Sequence, residues 1–147
     1  MHVLIATDGS DSSLNAAAHA RSILGDAEWT LVCVIPPMES PEADAGGIEG
    51  PVLDPQEVVD MHRSGVVEAD AALAATARAL GPTPVEQRVE EGSAGTTICS
   101  LASKLDADVV VVGSHGKSAL TETLLGSVGT YVVHHCEQPV LVVPPRE

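Results

Sequence analysis

Four short stretches of this chain are apolar at almost every position: 2–6 (HVLIA), 30–35 (TLVCVI), 107–112 (ADVVVV) and 139–143 (PVLVV). A strand with one face in water alternates apolar and polar residues, whereas a strand covered on both faces does not. Helix-forming stretches separate the runs: Ala-rich from Ser10 to Leu24, then about 56–80, then about 94–105, then 118–135. A fifth, weaker run at 84–90 (PVEQRVE) keeps a polar face and belongs nearer a sheet edge. The alternation β-α-β-α-β-α-β-α-β predicts an α/β fold, with a parallel sheet covered by helices on both faces. Its crossovers are right-handed. Ligands in such sheets bind beyond the carboxyl ends of the strands, where strand order reverses.

Local signals place several boundaries. Ser10, Asp11 and Ser12 are helix N-cap types, and Gly25 is a stop. Gly81-Pro82 ends the second helix. Ile98, Leu101, Ala102 and Leu105 form one apolar stripe at helical spacing. Leu120, Leu124, Val128 and Tyr131 do the same for a helix over 118–135. Residues 37–55 are rich in Pro, Gly, Glu and Asp and read as a mobile, solvated loop. At 147 residues, with no linker or internal repeat, the chain reads as a single domain over 1–147.

Seven Lys and Arg against 21 Asp and Glu give a net charge of −14. Phosphate backbones and anionic lipid surfaces need the opposite sign, so neither nucleic acid nor a membrane surface is an expected partner. A hydrophobic fraction of 44% argues against disorder. Only Trp29 and Tyr131 are aromatic, so no base-stacking platform is available. The start MHVLIATDGS lacks a basic region and a long apolar core, so it does not read as a signal peptide. No apolar run reaches the ~20 residues of a membrane span. Cys33, Cys99 and Cys136 are odd in number and widely spaced. They read as buried reduced thiols of a cytoplasmic protein, with no metal site or disulfide framework.

Two features carry chemistry. Gly113 and Gly116 are separated by two residues, and nine residues later comes Gly126-Ser127. Glycines let backbone N–H groups approach an anion, and a helix starting near Gly126 would add its orphan amides and dipole. That start requires a break in the helix expected over 118–135. The string GSHGKS is not a P-loop, because two residues rather than four separate its glycines, and no GxGxxG occurs. The second feature is Asp8 at the end of the first run. Its carboxylate suits a ribose hydroxyl or Mg²⁺, or equally an Asx turn leading into the first helix.

Together these residues resemble the universal stress protein family. ATP-binding members carry Gly, two residues, Gly, nine residues, then Gly-Ser or Gly-Thr, and Gly113, Gly116, Gly126 and Ser127 match without gaps. IATDGS, DADVVVVGSHG and the closing QPVLVV at 138–143 match as well, so the likeness covers nearly all of the chain except 37–55. The resemblance implies a five-stranded Rossmann-like sheet of the adenine-nucleotide α-hydrolase-like type. It implies ATP at the carboxyl ends of strands one and four. Asp8 would contact ribose or a phosphate-bound Mg²⁺, and Ala6 and Thr7 would line the adenine side. Val34 would pair its backbone with adenine. Gly113, His115 and Gly116, with Lys117 beside them, would wrap ribose and phosphates. Gly126, Ser127 and Val128 would hold the phosphate tail. Cys33 departs from the His that many members place before the strand-two Val. The resemblance further implies a homodimer joined through residues 140–143.

Three function classes follow: a nucleotide-binding regulatory protein, an enzyme, and a nucleotide-free dimeric scaffold. For the enzyme class, residues 7–12 (TDGSDS) loosely resemble the SGGxDS loop of ATP pyrophosphatases. Asp8 stands where that loop has a glycine, placing a carboxylate where pyrophosphate approaches. The intact glycine spacing argues against the scaffold. The expectation is nucleotide binding with at most slow hydrolysis, because no arginine accompanies the motif.

Overall fold

The computed structural model describes residues 1–38, 54–115 and 125–145. Five strands and four helices alternate: β1 His2–Ala6, α1 Asp11–Leu24, β2 Glu28–Ile35, α2 Pro55–Leu80, β3 Val85–Glu91, α3 Ala94–Lys104, β4 Val109–Gly113, α4 Ser127–His135 and β5 Val140–Val143. The sheet order is β3-β2-β1-β4-β5 and every pairing is parallel. The chain winds outward from β1 to β3, then returns past β1 to β4 and β5. The reversal lies between β1 and β4, so their carboxyl ends flank the crevice.

Alternate side chains of each strand feed two cores. Val3 and Ile5 of β1, Leu31 and Cys33 of β2 and Val111 of β4 pack under α1 and α2. Leu4, Val32, Val110 and Val112 pack under α3 and α4. Burial on both faces is why these strands carry no polar alternation, and each buried Val, Leu or Ile contributes about 1.5–3 kcal/mol. Helix α1 meets the sheet through Ala16, Ala17 and Ala20, all fully buried, whose small size lets the helix lie close. Ser10 caps it, accepting from the Ser13 N–H at 3.3 Å, and Gly25 ends it at φ 68°. Asp54, Pro55 and Glu57 build a capping box at the start of α2. Edge strand β3 turns Glu86, Arg88 and Glu90 to one face, where Arg88 Nε donates to Glu90 at 3.0 Å and Nη1 to Glu86 at 3.3 Å.

Two expectations change. The helix expected over 118–135 is shorter. α4 begins at Ser127, with Gly126 extended at φ −61°, ψ 165° as its N-cap, and 118–124 fall outside the described residues. With that start, the buried positions are Gly129 and Val132, while Val128 is 37% exposed. Of the two described positions of the expected stripe, Tyr131 packs against Gly95 of α3 and Val128 faces outward; Leu120 and Leu124 lie outside the described residues.

The cysteines are not all reduced. Cys99 in α3 and Cys136, the C-cap residue of α4, form a disulfide with Cα atoms 4.9 Å apart. Their sequence separation of 37 carries no spacing signal; only the packing of α3 against α4 brings them together. Cys33 is buried on the opposite face of the sheet. The loop expected at 37–55 lies mostly outside the described residues, and α2 begins at its last residue. Among the described residues no helix is long and apolar enough to cross a membrane.

Candidate functional site

The crevice is built from the ends of β1 and β4 and the start of α4. Beyond Ala6, the Thr7 N–H donates to Val32 O at 2.9 Å, extending the sheet by one residue. The Thr7 side chain turns towards α2 and is buried. Thr76 Oγ1 donates its one proton to Ala72 O at 2.7 Å, so the 2.7 Å contact between the two threonine hydroxyls must be donated by Thr7. Thr7 Oγ1 in turn accepts from the Gly9 N–H at 3.1 Å. Gly9 sits at φ 78°, and a Cβ there would come 2.9 Å from Ala72 Cβ. Both facts demand glycine at this turn.

Asp8 follows Thr7 and faces the start of α1. Its Oδ1 accepts from the Ser10 N–H at 2.9 Å and the Ser13 hydroxyl at 2.8 Å. The Asx-turn reading of Asp8 is therefore realised, and it fixes the carboxylate at the mouth of the crevice. A structural turn and a ligand contact are compatible uses of one carboxylate, which accepts at several lone pairs.

At the end of β4, Gly113 touches the first turn of α1: a Cβ would meet Ser12 Oγ at 2.6 Å and Ser12 O at 2.9 Å. The Ser12 hydroxyl accepts from the His115 N–H at 3.3 Å. Ser114 bonds in two directions, its N–H to Val143 O at 3.1 Å and its O from the Gly126 N–H at 2.8 Å. That last bond joins the two halves of the glycine motif, placing the start of α4 beside the end of β4. No side chain caps α4. The ring of His115 receives a 2.8 Å contact from the Ser114 hydroxyl at Nδ1. In the tautomer with Ser114 donating, Nε2 carries the proton; this atom is buried and makes no hydrogen bond among the described residues.

Of the sequence-predicted residues, Ala6 and Val34 share the α3/α4 side of the sheet, both half-buried. Thr7 and Cys33 lie on the other side, so Cys33 does not replace a group at Val34's face. Asp8, Gly113, His115, Gly126 and Ser127 gather around the reversal point. Val128 contributes its backbone from the first turn of α4, its side chain facing outward. Gly116 and Lys117 lie outside the described residues. Reasoning from sequence missed Ser12, Ser13, Ser114 and Thr76 as the groups that hold the site. The run Ser10-Asp11-Ser12-Ser13 was a signal for the first two; Ser12 is read as a capping type and within the TDGSDS likeness, and Ser13 carries no reading.

None of residues 2–13, 109–115 and 125–135 is Lys or Arg. Among the described residues there is also no cluster of three or more His, Cys, Asp or Glu fit for a metal ion. What the described site offers is backbone amides, an uncapped helix start, one buried imidazole nitrogen and one carboxylate. That set suits a ligand with both anionic oxygens and hydroxyls.

The model of the universal stress protein family matches residues 1–144. A universal stress protein of Methanocaldococcus jannaschii is 33% identical over 151 aligned positions, covering 99% of this chain and 84% of that protein. One from Synechocystis is 51% identical over 53 residues, covering 36% of this chain and about half, 49%, of that relative. Among solved structures, a universal stress protein in complex with cAMP is 27% identical with a TM-score of 0.65, covering 98% of this chain and 96% of that one. With a family match across nearly its whole length and a relative 33% identical along 99% of it, this chain belongs to the universal stress protein family.

Proposed function

We propose that this chain binds an adenine nucleotide, ATP with Mg²⁺, in the crevice between β1 and β4, and acts as a nucleotide-dependent regulatory protein. The observation that carries the reading is the Gly126 N–H bond to Ser114 O, which sets an uncapped helix start at the point where strand order reverses. The first-turn amides of α4 and the orphaned His115 Nε2 fit phosphate oxygens. Asp8 fits a ribose hydroxyl or a Mg²⁺ held by the phosphates. Ala6 and Val34 offer a half-buried apolar wall for adenine. A family member 27% identical to this chain was solved with cAMP, which supports an adenine nucleotide as ligand. ATP is our reading because two separate groups, the His115 Nε2 after β4 and the Ser127 and Val128 amides at the start of α4, offer donors for more than one phosphate. By their place in the sequence beside His115, Gly116 and Lys117 would add an amide and a cation to that set.

Bound Mg²⁺ would neutralise phosphate charge. The chain's own residues orient: Asp8 is fixed by Ser10 and Ser13, His115 by Ser12 and Ser114. With no arginine in these segments, turnover is slow and binding is the function. The chain is a cytoplasmic single-domain homodimer joined through β5.

The test is to denature protein purified without added nucleotide and identify any released small molecule by mass. Released ATP supports the reading. A released cyclic nucleotide or AMP corrects its phosphate count. No nucleotide, together with no retention of ATP on re-exposure in Mg²⁺, overturns it in favour of a scaffold.

A further inference from the structure

We infer that the Cys99–Cys136 disulfide is a thiol–disulfide exchange site through which a dithiol reductant sets the nucleotide affinity of the crevice; this rests on the nucleotide reading above. The two cysteines join the middle of α3 to the residue that ends α4. Both are half-buried at the rim of the α3/α4 core, within reach of solvent. Cys33 lies on the opposite face of the sheet, under α1 and α2, and takes no part.

α4 has few anchors. It is nine residues long, and only Gly129 and Val132 are buried. The Tyr131 ring lies against Gly95 of α3, and the Thr96 hydroxyl donates to Tyr131 Oη at 3.3 Å. Among the described residues, further ties are its packing on β5, the Gly126 N–H bond to Ser114 O at the start and the disulfide at the finish. The covalent loop from Cys99 to Cys136 encloses β4 and the entire Gly113–Ser127 motif. Cutting it removes the one covalent restraint on the helix whose first turn faces the ligand. The amides then reach their binding positions only after ordering α4, and affinity falls.

The chemistry balances with a dithiol as co-reactant. One reductant thiolate attacks a cysteine sulfur, forming a mixed disulfide and releasing the other cysteine as a thiolate that takes up a proton. The second reductant thiol displaces the first cysteine, giving two cysteine thiols and a cyclic disulfide for two electrons transferred. An oxidised dithiol reverses the exchange. In a reducing compartment, disulfides of this kind are characteristically transient and redox-sensing.

The test titrates the full chain with Mg-ATP by calorimetry, oxidised and after dithiothreitol, with hydrogen exchange of the α4 amides followed in parallel. We expect one titratable thiol in the oxidised, denatured chain and three after reduction. We expect Kd to rise about five-fold or more on reduction, to recover on reoxidation, and to stay high in both states for Cys99→Ser/Cys136→Ser. The α4 amides should exchange faster in the reduced chain. Equal Kd in the two states overturns the inference, as do three thiols after oxidation. If the oxidised chain binds no ATP, the nucleotide reading fails, and the coupling of affinity to redox state fails with it. Faster exchange in the reduced chain would then show the disulfide restraining α4 alone.

Discussion

Gly113 is fixed by Ser12 as firmly as by any ligand. A methyl group at Gly113 meets not only the Ser12 hydroxyl, which can turn away, but the Ser12 carbonyl, which cannot. Gly113→Ala should therefore cost about 1–3 kcal/mol through overpacking, lowering Tm by roughly 3–10 °C for a domain of this size. A melting temperature unchanged from the wild type would mean that α1 and β4 separate more freely than their contact implies. The Gly9–Thr7–Thr76–Ala72 chain of donors makes a second residue-scale prediction. Thr76→Val leaves the buried Thr7 hydroxyl without an acceptor and should cost about 1–3 kcal/mol by urea denaturation. Thr7→Val/Thr76→Val should cost less than the sum of the two single changes, since an apolar pair replaces a bonded one. Strict additivity would contradict the bond between the two hydroxyls. At this scale the sequence showed which residues matter better than it showed why. Gly113 and Asp8 stood out by position, but of their actual neighbours Ser12 looked like an ordinary capping residue and Ser13 drew no reading.

Among the elements, α4 repays the closest reading. Its start at Ser127 was foreshadowed by Gly126, yet the apolar residues on either side kept a helical period through the break. Periodicity records which residues are apolar, not where the chain turns. The disulfide left no trace at all in the sequence, because helix packing rather than spacing sets which sulfurs meet. By contrast β1 and β4 were legible nearly to the residue, since a strand buried on two faces has no alternative use for a run of consecutive apolar side chains. A loop-closure account gives the disulfide about 4 kcal/mol of stabilisation. Scanning calorimetry should accordingly show Tm falling by roughly 8–15 °C in dithiothreitol. Identical melts in oxidant and reductant would contradict a restraint of that size.

Across the whole molecule, charge and edges decide the remaining expectations. Residues 1–100 carry 4 basic and 16 acidic side chains, whereas residues 101–147 carry 3 and 5. The acidity is thus concentrated away from the glycine motif, but a phosphate tail still approaches a chain of charge −14. Affinity for ATP should fall steeply when Mg²⁺ is chelated, and indifference to chelation would remove the metal from the account. The other exposed feature is the β5 edge. Pro139 O and Val143 O accept from β4, so the alternating residues Val140 and Val142 turn their main-chain groups to the free side. A proline at Val142 removes an edge donor and spares the β4 ladder. Light scattering should show monomers for Val142→Pro, and a persistent dimer would move the interface elsewhere. The central claim is that the start of α4 holds phosphate, and calorimetry of Mg-ATP with Gly126→Val tests it most directly. Gly126 is extended at φ −61°, a conformation open to any residue, so the variant should keep the wild-type melt. The account predicts that its ATP affinity is lost while the fold persists; wild-type affinity in a folded Gly126→Val chain would contradict it.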